Sequence, residues 1–192
     1  ALVKNEEVKS IDGLKEKGEQ VERLGKCITE YLASLFSSGS LTEQQAAQTA
    51  GLMCVLSDVE RMGTLGVEMA ECMLEKSDRK YKYTQEAMDE LQKSLKVLNK
   101  MFCDSLRALQ GDKSMEPGKM MKRRDKLLDL DIKMRKAHIE RVNKGKCKAS
   151  LTAPFTNILH LIDRMGNSCV NLADMAMEHM NFGYFLDMED DR

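Results

Sequence analysis

Apolar residues recur every three or four positions through most of this 192-residue chain, and the spacing favours helices over strands. An α-helix completes one turn in 3.6 residues, so positions spaced in this way share one face that can be buried. The whole chain holds only two prolines and 12 glycines, which are too few turn residues for a sheet of many strands. We therefore predict an all-α protein whose helices, about five in number and long, pack as tandem antiparallel bundles.

Breaks in the apolar pattern and capping signals divide the chain into helices. Ser40, followed by Glu43 three residues later, is typical of a capping box at a helix start. Thr84 is a second candidate cap, and Pro117 suits a first turn because the amides there have no helical partner. Gly145 is typical of a helix end. The predicted helices cover residues 4–36, 40–76, 84–111, 117–145 and 152–180.

Two segments of the chain, 55–75 and 158–178, resemble each other when they are aligned without a gap. The sequence ERMGT at 60–64 lies opposite DRMGN at 163–167, so that methionine, arginine and glycine coincide. Each segment follows a long amphipathic helix and a short link that contains glycine. The chain is therefore predicted to contain an internal repeat whose unit includes at least a pair of helices.

Polar and acidic residues run beside the apolar face of both repeated helices at spacings of three and four. In the first copy they are Glu60, Thr64, Glu68 and Glu71, and in the second Asp163, Asn167, Asn171 and Asp174. Most strips of this kind are boundary residues that form ion pairs with neighbouring arginines, here Arg61 and Arg164. Their duplication narrows the preference for this interpretation over one in which both strips face a groove between helices.

The repeated segments resemble the signature of PhoU proteins, which also occurs twice, as a Glu-Arg-Ile-Gly-Asp-like core that leads into an Asn-Ile-Ala-Glu-like tail. The matching pieces are SDVERMG at 57–63, IDRMGN at 162–167 and VNLA at 170–173. The piece RKAHIERV at 135–142 is similar to the helix before the second signature, above all in PhoU-like domains at the C-terminus of sodium/phosphate cotransporters. Together these pieces extend over most of the chain.

The resemblance implies tandem three-helix bundles, no catalytic activity and a regulatory role in phosphate transport. In some members of the family it also implies metal ions bound at a Glu/Asp-x-x-x-Asp pattern. In this chain each signature keeps only the first carboxylate of that pattern, because Glu60 is followed by Thr64 and Asp163 by Asn167.

A metal ion, divalent or ferric, is the one cofactor that the resemblance implies here. Hard and borderline cations accept oxygen ligands, and side chains four residues apart on a helix project together. The candidate ligands are Glu60, Asp163, Asn167, Asp125 and Asp129. We expect the second unit, with Asp163 and Asp129, to contribute more to metal binding than Glu60.

Compared with the family pattern, the sequence begins near the position of the second helix of the first bundle. The resemblance then implies a first repeat at 1–80 with only a helix pair and a complete three-helix repeat at 81–192. An incomplete first bundle would leave an apolar groove, so we expect a homodimer or a fragment of a larger protein. A phosphate transporter or its membrane domain is the other implied partner. The expected location is cytoplasmic, either free or tethered to the inner face of the membrane through a transporter domain outside this chain.

Charge and motif content argue against other classes of protein. The formal net charge is −1, so we expect no nucleic-acid partner, and no apolar run approaches the roughly 20 residues that cross a bilayer. Walker, nucleophile-elbow and dinucleotide motifs are lacking, and no histidine lies in a Glu-x-x-His pattern. His138, His160 and His179 are expected at the surface or at the boundary between core and surface. The chain is therefore predicted not to be an enzyme. The alternative to a regulator is a metal-free helical scaffold or dimerisation module.

Overall fold

A computed structural model of the chain describes residues 8–77, 82–111 and 117–178, almost all of them in α-helices. The helices are α1 (Val8–Ser37), α2 (Glu43–Ser77), α3 (Gln85–Leu109), α4 (Pro117–Asn143) and α5 (Thr152–Glu178), and a 3₁₀ turn (Ala149–Leu151) precedes α5. The described part of the chain contains no β-strand, which confirms the predicted all-α class. None of these helices combines the length and the hydropathy that crossing a membrane requires.

Local hydrogen bonds explain two of the predicted helix ends. The Thr84 hydroxyl oxygen accepts a hydrogen bond from the Ala87 amide at 3.3 Å and caps α3. Gly145 follows α4 with a φ of 68°, a left-handed conformation that glycine adopts without steric cost. The next amide, that of Lys146, donates to the Arg141 carbonyl at 2.9 Å and closes the helix end. Both ends are therefore confirmed within two residues.

The predicted capping box at the start of α2 is wrong by two residues. The Thr42 amide donates to Gln45 Oε1 at 2.9 Å, and the Gln45 amide donates to the Thr42 hydroxyl at 3.3 Å. This reciprocal pair is a capping box, and it satisfies the free amides at the helix start. Ser40 instead shares a hydrogen bond with Ser38 at 2.7 Å within the preceding turn, and Glu43 is the first helical residue.

Packing between the helices divides the chain into a hairpin and a bundle. Helices α1 and α2 pack against each other, whereas α3, α4 and α5 each contact the other two. Helix α5 also packs against α2, so it contacts three of the other helices. The predicted division between residues 80 and 81 stays a prediction, because it falls in 78–81, outside the described residues.

The hydrophobic core is centred on α5. Its predicted apolar stripe is buried at Phe155, Ile158, Ile162, Cys169 and Leu172, each at most 3% exposed. Burying one large apolar side chain contributes about 1.5–3 kcal/mol to stability. Contacts with α2, α3 and α4 therefore hold α5, and with it the acidic strip of the second repeat, in a fixed place.

Helix α1 leaves part of its apolar stripe uncovered. Leu24 and Tyr31 are each 64% exposed and Ile28 is 45% exposed, although the spacing of these apolar residues, four and three positions apart, predicts one buried helical face. Leu32 on the adjoining face is buried. The reason is that α1 packs closely only with α2, and one neighbouring helix covers a narrower face than the stripe occupies.

Candidate functional site

The glycines of the two repeated signatures occupy matching positions in the packing. A Cβ atom added to Gly63 on α2 would lie 3.6 Å from Val21 on α1. One added to Gly166 on α5 would lie 2.8 Å from Leu127 on α4. In each repeat the glycine therefore marks the place where the signature helix meets the helix before it. The two signature glycines thus lie at corresponding helix contacts, α1 with α2 and α4 with α5.

An arginine from α4 joins the polar residues of the second signature. Arg124 Nη2 donates to Asp163 Oδ1 at 2.7 Å, and Arg124 Nε donates to Asn167 Oδ1 at 2.9 Å. The Arg124 side chain is only 17% exposed and that of Asp163 is 35% exposed. Asn167 also donates weakly to the other Asp163 oxygen, Oδ2, at 3.4 Å. Three side chains thus form one hydrogen-bonded group between α4 and α5.

The first signature faces an open groove instead. The groove lies between α1 and α2, has a volume of about 730 Å³, and is lined by charged and polar residues that include Lys15, Glu22, Lys26, Glu60, Thr64 and Glu71. The Glu60 carboxylate occupies space that a side chain at Gly25 would fill. Among the described side chains none donates a hydrogen bond to this carboxylate. Across the groove Lys15 forms an ion pair with Glu71 at 2.8 Å, and this hydrogen bond raises the pKa of Lys15.

The predicted metal ligands do not form one cluster in the structure. Asp163 and Asn167 lie together, but their Oδ1 atoms are hydrogen-bonded to Arg124. Asp129 is bonded to Lys133 on its own helix at 2.6 Å, and Asp125 is exposed. Within the described ranges, no group of three histidine, cysteine or acidic side chains is arranged to hold a metal ion. The donor set in this conformation therefore does not fit a metal ion, and metal binding stays a prediction.

The chain is similar in sequence to a curated PhoU protein. It is 23% identical over 159 residues to the phosphate-specific transport system accessory protein PhoU homolog 1 of Thermotoga maritima. The aligned region is 83% of this chain and 68% of that protein. No family model matches the chain, and no solved structure matches it. The similarity supports a PhoU-like domain over most of the chain, in agreement with its all-α bundle.

Ion pairs between helices join residues that the sequence could not assign to one another. Arg164 on α5 lies 4.0 Å from Glu68 on α2, so the acidic strip of the first repeat contacts the signature helix of the second. Arg141 on α4 donates to both carboxylate oxygens of Glu90 on α3, at 3.2 and 3.0 Å. A bidentate ion pair of this kind fixes the relative orientation of the two side chains and also pairs their charges. These pairs need the mutual register of helices, which periodicity within one helix does not give.

His138 is buried, so the expectation of a surface or boundary position is wrong for this residue. It is 2% exposed, its ring stacks on Phe155 with centroids 4.6 Å apart, and its Nε2 shares a hydrogen bond with the Thr152 hydroxyl at 3.1 Å. Burial lowers the pKa of His138, and the nearby charge of Arg141 lowers it further, while Glu90 opposes them. The neutral ring is thus the form that the folded chain accommodates.

The lowered pKa of His138 predicts a loss of stability in mild acid. The unfolded chain binds a proton at this residue near the ordinary pKa of about 6.5, whereas the folded chain does so only at lower pH. The stabilising contribution is therefore complete above that pH and is lost as pH falls towards the folded pKa. We expect the urea midpoint to fall more between about pH 7.5 and 5.5 in the natural protein than in His138→Gln. Equal falls in the two proteins would contradict this assignment.

Proposed function

We propose that this chain is a non-enzymatic regulatory module of a phosphate transport system, and that it acts through protein contacts. Support comes from the similarity to a protein named as a phosphate-specific transport system accessory protein, over 83% of the chain. Further support comes from the signature that occurs twice at matching packing positions, beside Val21 and beside Leu127. Similarity confined to general helix-forming residues would not be expected to repeat at the same helix crossings.

The exposed face of α1 is the surface that we propose for protein contacts. Leu24 and Tyr31 are large side chains with most of their surface in water, one turn on either side of Ile28. Exposed apolar residues grouped on one helix face mark interaction surfaces more often than scattered ones do. We propose that a second copy of the chain covers this face, and that the assembly acts on a phosphate transporter from the cytoplasmic side of the membrane. Tethering to a transporter domain outside this chain is part of the same proposal.

The response of phosphate uptake to external phosphate tests the regulatory role. The codons of this chain would be removed from the native gene, and uptake of ³²P-labelled phosphate would be measured in phosphate-rich and phosphate-poor medium. We expect the ratio of the two uptake rates to change by about fivefold or more, a size typical of regulatory coupling, and to be restored by re-expression. An unchanged ratio would instead support the alternative, which is a metal-free scaffold or dimerisation module. The pairing of Asp163 with Arg124 within the chain favours the metal-free part of this alternative.

A charged variant of the α1 face separates the contact surface from the fold. Leu24→Glu combined with Tyr31→Glu places two carboxylates on this exposed face. In the isolated chain they remain in water and change the free energy of unfolding little, whereas contact with another chain would bury their unpaired charges. We expect light scattering to show the mass of a monomer instead of a dimer, and re-expression of this variant to leave uptake unregulated. Leu106→Glu on α3 is the matched control, because Leu106 is 37% exposed and no second large apolar residue of α3 is exposed beside it among the described residues. A double variant that keeps both the dimer mass and the regulation would contradict the proposed surface.

A further inference from the structure

We propose that Arg124 is the resident cation of the second repeat, meaning that its guanidinium occupies the place beside Asp163 and Asn167 that a metal ion would take. The guanidinium thereby prevents metal ions from binding to the Asp163–Asn167 pair. The contact of Arg124 with this pair is independent of the regulatory role proposed above. The sequence pattern suggests a metal ligand set here, and the geometry points to an organic cation supplied by the chain itself.

The contacts of Arg124 are those of a group built into the site. Its Nη2 and Nε atoms donate to two different side chains, at 2.7 Å and 2.9 Å, along one edge of the guanidinium plane. Charge-assisted hydrogen bonds to carboxylate have this length, and the planar guanidinium suits two acceptors held side by side. The side chain of Arg124 is mostly buried. It therefore has little freedom to leave the pair for solvent.

A metal ion would need the same oxygen atoms. Hard cations take six or more oxygen ligands, which carboxylates, carbonyl groups and water supply. Asp163 Oδ1 and Asn167 Oδ1 both accept from Arg124, and Asp163 Oδ2 accepts weakly from the Asn167 amide. Of the candidates on α4, Asp129 is paired with Lys133, and the described residues contain no group of three histidine, cysteine or acidic side chains arranged for a metal ion. A metal ion would have to displace a fixed positive charge from a pair that itself contains only one carboxylate, that of Asp163.

The first repeat shows what the same place looks like without the arginine. Val21 and Leu127 contact the corresponding signature glycines, so the residues three positions before them, Gly18 and Arg124, correspond as well. Gly18 has no side chain to reach its signature, and the groove beside it stays open. In the second repeat the Arg124 stem passes 3.9 Å from the place where a Cβ of Gly166 would lie. The resident cation thus distinguishes the second repeat from the first.

A double-mutant cycle tests whether Arg124 and Asp163 act as a pair. The unfolding equilibrium would be measured by urea titration for Arg124→Met, Asp163→Asn and the double variant. We expect the two effects to be coupled by about threefold to tenfold in the unfolding equilibrium constant, given that the pair is only partly exposed. The control cycle uses Lys133→Met with Asp129→Asn, an exposed pair on one helix for which we expect at most about twofold coupling. Additive effects of Arg124→Met and Asp163→Asn would overturn the proposal.

Titration with Mn²⁺ tests whether the pair is closed to metal. The full chain and its Asp163→Asn variant would be titrated with MnCl₂, and free Mn²⁺ would be followed by electron paramagnetic resonance. Because Arg124 already neutralises Asp163, we expect the two proteins to bind Mn²⁺ equally within about twofold. Asp163 is the more exposed member of the ion pair with Arg124, so we expect the Asp163→Asn variant to fold. The urea titration checks that both proteins are folded. A larger loss of Mn²⁺ affinity in Asp163→Asn would show an open metal site and overturn the proposal.

Discussion

Replacement of Phe155 by alanine is expected to lower the free energy of unfolding by about 3–5 kcal/mol. The side chain is 1% exposed near the start of α5, with Tyr83 against its edge at 5.4 Å and the His138 ring stacked on its face at 4.6 Å. Its removal loses apolar burial and leaves a cavity that these two rings cannot fill without moving. Domains of this kind are stable by only about 5–15 kcal/mol, so the loss is a large fraction of the total.

Urea and thermal denaturation measure this effect. In a chain of this length, a loss of that size corresponds to a melting temperature roughly 10 °C lower. Phe36→Ala is the control, because Phe36 is 41% exposed near the end of α1 and its truncation is expected to cost less than about 1 kcal/mol. Similar losses for Phe155→Ala and Phe36→Ala would mean that the α5 core does not dominate stability.

Secondary structure was readable from the sequence because its signals are local. The apolar stripe of α5 and the cap at Thr84 depend on residues within a few positions of one another, and both are confirmed. The start of α2 shows the limit of such signals. Two overlapping patterns, Ser40 with Glu43 and Thr42 with Gln45, both satisfy the capping-box rule, and only the backbone path selects the second.

Burial was harder to predict than helix position, because periodicity identifies a face and not what covers it. Leu24 and Tyr31 share one helical face of α1 by their spacing, yet both are exposed, whereas Leu32 on the adjoining face is buried. His138 is the opposite case, a polar residue that is buried because an aromatic ring and a hydroxyl from the start of α5 meet it. Neither outcome follows from spacing along one helix.

The Asp163–Asn167 pair of the second repeat was located by sequence, but its partner was not. Asp163 and Asn167 were singled out because they repeat the spacing of Glu60 and Thr64. The contact with Arg124 joins residues on two different helices, α4 and α5, and depends on how these helices are aligned. Sequence periodicity says nothing about that alignment.

The two signature glycines are expected to respond in opposite ways to substitution by alanine, although they match in sequence. A Cβ on Gly166 would lie 2.8 Å from Leu127, a buried side chain, so the α4–α5 contact must open or Leu127 must leave its rotamer. Overpacking of this kind costs about 1–3 kcal/mol, and the better helix propensity of alanine returns at most about 1 kcal/mol. Gly166→Ala should therefore lower the free energy of unfolding.

Gly63→Ala should instead leave stability unchanged or raise it by up to about 1 kcal/mol, because its Cβ would lie at an ordinary contact distance of 3.6 Å from Val21. Gly66→Ala serves as the reference, since nothing lies within 4 Å of a Cβ at that position of α2 and only the gain in helix propensity remains. Urea titration of the three variants compares them directly. If Gly166→Ala were as stable as Gly66→Ala, the close approach of α4 and α5 would not depend on this glycine. A loss of stability at Gly166 alone would show that only the second of the two matching glycines is needed for packing. In that repeat Arg124 is held against Asp163, whereas in the first repeat the groove beside the glycine is open.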